Sequence, residues 1–311
     1  GGGGAAEGGG GAGGGVCGPL PFLTEPPATL SATGLYDDIA NDVIAPHAKP
    51  FQPLYPLWSD GAEKERWFYI PECEQIDTSD MDTWQVPVGA RLWKQFTRDG
   101  VRVETRLIMR TGPGQFDFEF AVYQWTGDEA FRVQNGVVDA NGTGHDIPPE
   151  SLCSSCHRKD WRILGLGAVQ LTHGLPGETM ASLSAGGLLT NPLPGGVVIP
   201  GTPVDQAGLG YLHANCGSCH YDGGVPNPPI KFKVLQAHTT VASTDTYTTC
   251  VNQPANFNCN CDRIEPGDAA ASAVVQRMSV RDGDQMPPFA TEIVDDAGVQ
   301  AVSDWIDQLP P

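Results

Sequence analysis

Positive charge is scarce in this chain. Its 311 residues hold 18 Lys+Arg against 37 Asp+Glu, a formal net charge of −19. A field of that sign repels nucleic acid and anionic lipid, and it favours basic partners or salty surroundings. Long apolar runs are lacking as well. No stretch of about 18 apolar residues occurs, so no transmembrane helix is expected. An initiator methionine is absent; the chain opens on Gly1 and is expected to be already processed.

Glycine is abundant instead, and much of it sits at the start. Residues 1–15 read GGGGAAEGGGGAGGG, which cannot bury a core and reads as a flexible tail. Residues 1–29 are therefore set apart as tail and linker. A tract without side chains can order only against backbone or a groove, so a homo-oligomer or filament built through the tail is one expectation.

Residues 30–147 are β-rich. RWFYI (66–70), RLWKQF (91–96), VRVETRLIM (101–109), FDFEFAVYQW (116–125) and AFRVQNGVV (130–138) alternate with turn signals, and Asp99-Gly100 marks a hairpin. An antiparallel, β-sandwich-like domain is expected. From about 148 the strand texture fades. Helical spacing appears at 207–220, 268–279 and 296–309, with Asp268 and Asp296 as the expected N-caps. Residues 191–203, NPLPGGVVIPGTP, read as a Pro/Gly linker. The fold class is thus α+β, in three parts after the tail: 30–147, 148–203 and 204–311.

Two motifs carry chemistry: Cys153-Ser-Ser-Cys156-His157 and Cys216-Gly-Ser-Cys219-His220. CxxCH is the attachment signature of c-type haem. The thiols of Cys153, Cys156, Cys216 and Cys219 would add across haem vinyl groups, with His157 and His220 as proximal iron ligands. A thioredoxin-like reading needs a βαβ pattern that neither site has. A zinc site would leave both histidines unexplained. Two covalently bound haems c are expected, and a helical cytochrome region around them.

The sixth ligand sets what each iron does. For the second haem it is expected to be Met286, in Gln-Met-Pro-Pro before the closing helix, with Met278 as a rival better suited to packing. For the first haem the candidates are His173, then His145, Met180, Met109 or an open iron. Five further cysteines remain. Cys17 with Cys73 is the natural pair, and Cys250 is expected to bond Cys259 or Cys261, since cysteines one residue apart rarely join. Disulfides and covalent haem both place the chain in the periplasm or outside the cell. The aromatic and charged stretch 55–67 reads as an edge holding the β domain to the haem region, with carbohydrate or quinone contact as the alternative.

The chain resembles a group of secreted bacterial di-haem c-type cytochromes with an N-terminal β domain. The matching text is YPLWSDGAEKERW (55–67), VPVGARLWKQF (86–96), VETRL (103–107), both CxxCH motifs, LGYLHANCGSCH (209–220), IEPGDAAASAVVQRM (264–278) and QMPPFA (285–290). The resemblance implies haem roles for Cys153, Cys156, His157, Cys216, Cys219, His220 and Met286, and gives no distal ligand for the first haem. The expected function is electron transfer between redox partner proteins, with an extracellular conducting filament as one form of it. The alternative is an enzyme, a di-haem peroxidase with one open iron.

Overall fold

The computed structural model describes residues 17–157, 163–225, 230–256 and 259–310. The glycine tail, and the oligomer expectation resting on it, lie outside the described residues. The strands are β1 (Tyr36–Asp38), β2 (Val43–Ile44), β3 (Lys49–Pro50), β4 (Glu63–Tyr69), β5 (Arg91–Arg98), β6 (Val101–Arg110), β7 (Phe118–Thr126), β8 (Glu129–Arg132), β9 (Val137–Ala140) and β10 (His145–Ile147). The helices are α1 (Cys153–Cys156), α2 (Ala168–Leu171), α3 (Met180–Ala185), α4 (Pro203–Asn215), α5 (Asp245–Cys250), α6 (Ala273–Met278) and α7 (Asp296–Asp307).

The architecture is mixed α and β, with one large antiparallel sheet. β3 to β8 form a six-stranded meander in sequence order. The β5–β6 turn is the expected one: Asp99 and Gly100 both take positive φ, 51° and 77°, which a tight hairpin needs. No second large sheet faces the meander among the described residues; β1–β2 and β9–β10 are two-stranded ribbons.

Side chains alternate across the meander. Its outer face buries Trp67, Tyr69, Trp93, Leu107, Met109 and Tyr123, closed over by Leu30, Leu35 and Tyr36 from the N-terminal segment. Its inner face sends Phe68, Leu92 and Phe118 into a core shared with Leu209 and Leu212 of α4 and with Val302, Trp305 and Ile306 of α7. Sheet and helices therefore share one apolar interior. Stretch 191–203 is not a loose linker, because Val197 and Ile199 are buried in that same core.

Local capping chemistry moves the helix starts away from their expected positions. Helix α4 begins at Pro203 because Thr202 and Asp205 form a reciprocal capping box with proline at the first turn. The α7 cap is Asp295, whose carboxylate accepts from the Gly298 N–H at 3.0 Å, and not Asp296. Asp268 holds a separate turn through the Ala271 N–H, so α6 starts only at Ala273.

Cys17 and Cys73 form a disulfide, as expected. The second bridge corrects the sequence reading: Cys259 bonds Cys261, and Cys250 is a free, fully buried thiol in the core. Asn260 between the two sulfurs adopts φ +48°, the left-handed turn that folds so short a segment onto itself. Cys250 ends α5 inside the core, with its sulfur beside the Thr249 hydroxyl.

Stretch 55–67 is a seam. The Tyr55 N–H donates to Gln170 Oε1 (2.9 Å) and the Trp58 N–H to Asn215 Oδ1 (2.7 Å). The Trp58 indole donates to the Ile293 carbonyl (2.9 Å), and the Asp60 carboxylate accepts from the Glu292 and Ile293 N–H groups.

Helices α4 and α7 cross at close range. A Cβ on Gly208 would sit 2.5 Å from the Trp305 Cβ, and one on Gly298 would sit 2.1 Å from the Tyr211 ring. Gly208→Val should therefore destabilise the protein by about 1–3 kcal/mol through overpacking. Gly283→Ala, where a Cβ meets nothing, should leave the urea midpoint in place; equal midpoints for both variants would refute the close crossing.

Candidate functional site

Both CxxCH segments fold into the same single turn. The His157 N–H donates to the Cys153 carbonyl and the His220 N–H to the Cys216 carbonyl, each at 2.9 Å. Positions i and i+3 of a helical turn share a face, so each turn presents two sulfurs side by side. The first turn hangs from β10 through Pro148 and Pro149. Glu150 anchors it, gripped by the Arg132 guanidinium at 2.9 and 2.8 Å and by the Val122 N–H at 3.1 Å. The second turn continues from the C-terminus of α4, where the Cys216 N–H donates to the Leu212 carbonyl.

The two turns touch. Cys219 Sγ lies 3.9 Å from the Ser155 carbonyl oxygen, although 64 residues separate them. None of the four cysteines is in a disulfide, and all are half-buried. Burial pushes the Cys216 thiol up to about 12, helped by Cys219 and Cys250, and burial also raises Cys153. A reactive redox dithiol shows the opposite shift. Among the described residues, no group of three or more His, Cys, Asp or Glu side chains converges on a point that could hold a metal ion, so the thiols do not form a chelating cluster.

The two motif histidines are seated against aromatic rings. His157 lies 5.4 Å from Phe120 of β7, and His220 lies 5.4 Å from Phe232, edge to face. Burial lowers the His220 pKa, which keeps the ring neutral and able to bind a metal. Its Nδ1 is buried without a hydrogen bond of good geometry. Met286 is half-buried, and its N–H donates to the Arg277 carbonyl at 2.9 Å. Arg277 lies near enough to His220 to lower its pKa further, so the QMPP loop lies on the His220 side. Met278 is buried in the core.

A cavity of about 210 Å³ opens between the inner face of the sheet and the first turn, with Cys153, Cys156 and His157 in its wall. Ile108, Phe120 and Leu152 supply apolar surface, and Phe289 and Ala290 reach it from the QMPPFA loop. Among the candidates for the first distal ligand, only His145 lines it. His173 does not: its Nε2 meets the Gln52 carbonyl at 2.7 Å and its Nδ1 accepts from the Leu175 N–H at 3.0 Å. Met109 points to the opposite face of the sheet and Met180 is packed in the core.

The cavity wall carries charges that the motif analysis missed. Arg66, Lys94 and Arg106 stand directly opposite one another on β4, β5 and β6 and all line the cavity. Glu104 is completely buried, takes the Arg106 guanidinium at 2.9 and 2.6 Å, and accepts from His145 Nε2 at 2.8 Å. Burial opposes its charge, but Arg106 and His145 outweigh burial and hold the carboxyl down to about 2. Lys94 is pushed well below the ordinary lysine range by burial and then by Arg66, Arg106 and Lys64; burial lowers Arg66 to about 10.

Glu104→Gln leaves the half-buried Arg106 without its counter-charge and should cost about 1–3 kcal/mol. Asp42→Asn, which removes the exposed partner of Arg102, should cost less than about 1 kcal/mol. Chemical denaturation of the two variants checks the contrast, and equal losses would show that Glu104 is not the keystone of this face.

No protein-family model, no curated protein and no solved structure matches this chain.

Proposed function

We propose that this chain is a two-haem c-type cytochrome that passes electrons between redox partner proteins, and that it belongs with the secreted di-haem cytochromes it resembles. The contact between the two CxxCH turns carries the reading. Electron tunnelling falls steeply with distance, and attachment turns that touch, with Cys219 Sγ 3.9 Å from the Ser155 carbonyl, would make two haems bound there near neighbours. Bound haem supplies the one-electron chemistry. The chain's own residues would do the rest: four thiols would fix the macrocycles, His157 and His220 would offer imidazole nitrogens, and Met286 the sulfur that raises a potential. In this reading the sheet and its N-terminal cover are the sandwich-like β domain, and α1 to α7 form the cytochrome region. The disulfides favour a periplasmic or extracellular site.

One observation favours a second reading. With both His173 nitrogens engaged by backbone, the first iron lacks its leading candidate ligand, and an open iron is what a di-haem peroxidase uses. Cyanide binding at one haem, with peroxide-dependent turnover, would select the enzyme; two haems inert to cyanide would select the carrier.

Intact mass should exceed the bare chain by two haems, both surviving denaturing electrophoresis, because each is held by two thioether bonds. One haem, or release into acid acetone, would defeat the reading. Met286→Ala should lower one potential and remove any thioether-to-iron charge-transfer band, while Met278→Leu should keep both. The reverse pattern would transfer the ligand role to Met278.

A further inference from the structure

Three cations in a row across neighbouring strands is an arrangement that a sheet avoids, because like charges directly opposite repel. Here the row also lies partly out of water, with Lys94 and Arg106 half-buried. Arg66 is only 9 % exposed. Arg106 has its carboxylate, Glu104. Arg66 and Lys94 have none: among the described residues neither side chain makes a hydrogen bond or an ion pair, and Lys94 has only the Phe96 ring, 4.6 Å from its Nζ. Asp60, Asp146 and Glu292 also line the cavity, and none of them forms an ion pair with Arg66 or Lys94. Glu104 serves Arg106 and His145, Asp60 serves the N–H groups of Glu292 and Ile293, and Asp146 accepts from the Asp139 N–H. Arg66, buried, and Lys94, half-buried, thus face the cavity with no carboxylate at ion-pair distance, and a cation drawn out of water without a partner is costly unless something pairs it.

The geometry points to a seat for the two propionates of the first haem, formed by Arg66 and Lys94 on the inner face of the sheet. This rests on the two-haem reading above. Arg106 lies beside Cys153 and Cys156, close enough for the thiols to act on its charge. The row then leads away from the thiols by two strand spacings, about 9–10 Å, to Arg66. A haem held at its vinyl edge by those thiols carries its carboxylates on the opposite edge, roughly a porphyrin's width away. Between the two ends the wall is apolar, from Ile108 and Phe120, as a macrocycle requires. The count also matches: two unpartnered cations, two carboxylates. Arginine suits a carboxylate through its planar fork and lysine through a compact charge. The β domain is then part of the cofactor site, and its sheet tunes the potential of one haem through charge.

The test uses the full holoprotein and its two reduction waves. Lys94→Met and Arg66→Gln each remove a cation beside the first haem, which disfavours the electron-rich iron. Each should lower one wave, leave the other in place and change the propionate bending band of one haem by resonance Raman. Lys94→Arg, which keeps the charge, should hold the wild-type wave. Unfolding supplies a second readout that a spectator lysine would move the other way. With propionates paired to it, losing Lys94 lowers the denaturation midpoint; with no carboxylate paired to it, replacing a half-buried cation by Met raises it. Unchanged waves in a two-haem protein, or a raised midpoint for Lys94→Met, overturn the seat alone. A wild-type chain with no haem on Cys153 and Cys156 overturns the two-haem reading and the seat together.

Discussion

The inner face of the meander has to bury charge, and the elements above it are arranged around that necessity. Glu104 is fully enclosed, so its carboxylate is tolerable only with partners. Arg106 comes from two residues along the same strand, and His145 from the ribbon that leads into the first CxxCH turn. The same three-way contact that neutralises the sheet therefore fixes where that turn begins. Arg132 and Glu150 repeat the device a few residues later at the sheet edge. Two ion pairs, each partly or wholly out of water, hold a thiol-bearing turn against a rigid platform.

On the other side, the helices close the platform through contacts that leave little freedom. Glycines in α4 and α7 let the two helices approach until a single methyl would collide. Asn215, at the end of α4, is bound to the seam through the Trp58 N–H. Cys216 follows at once. The second turn is thus carried by a helix locked to both α7 and the sheet's approach segment, and this brings Cys219 against Ser155.

Much of the architecture was legible because it is encoded locally. Asp99-Gly100 can form only a tight turn, alternation in 101–109 can serve only a half-buried strand, and CxxCH spacing is chemical. What was missed is long-range. Arg66, Lys94, Glu104 and Arg106 alternate with apolar residues along their strands, and that pattern ordinarily describes a wet face. It becomes an interior face only because residues 145–157 and the helical half fold over it. His173 looked like a ligand by spacing, but a backbone carbonyl at Gln52, 121 positions away, takes its nitrogen. The Cys259–Cys261 pair defied a general rule through one left-handed asparagine. The cap shifts at α4, α6 and α7 came from competition among neighbouring Asp and Thr side chains, which a one-dimensional pattern ranks poorly.

The contact between Cys219 and Ser155 has a consequence in time. Once two such turns have met, all four sulfurs are half-covered, and a flat macrocycle reaches them less easily than in the open chain. In a chain that carries thioether-linked haem, attachment is then easiest before tertiary structure. The chain would meet its cofactors as an open polymer and close around them afterwards. The finished protein would hold what it was loaded with for its lifetime, beyond the reach of exchange.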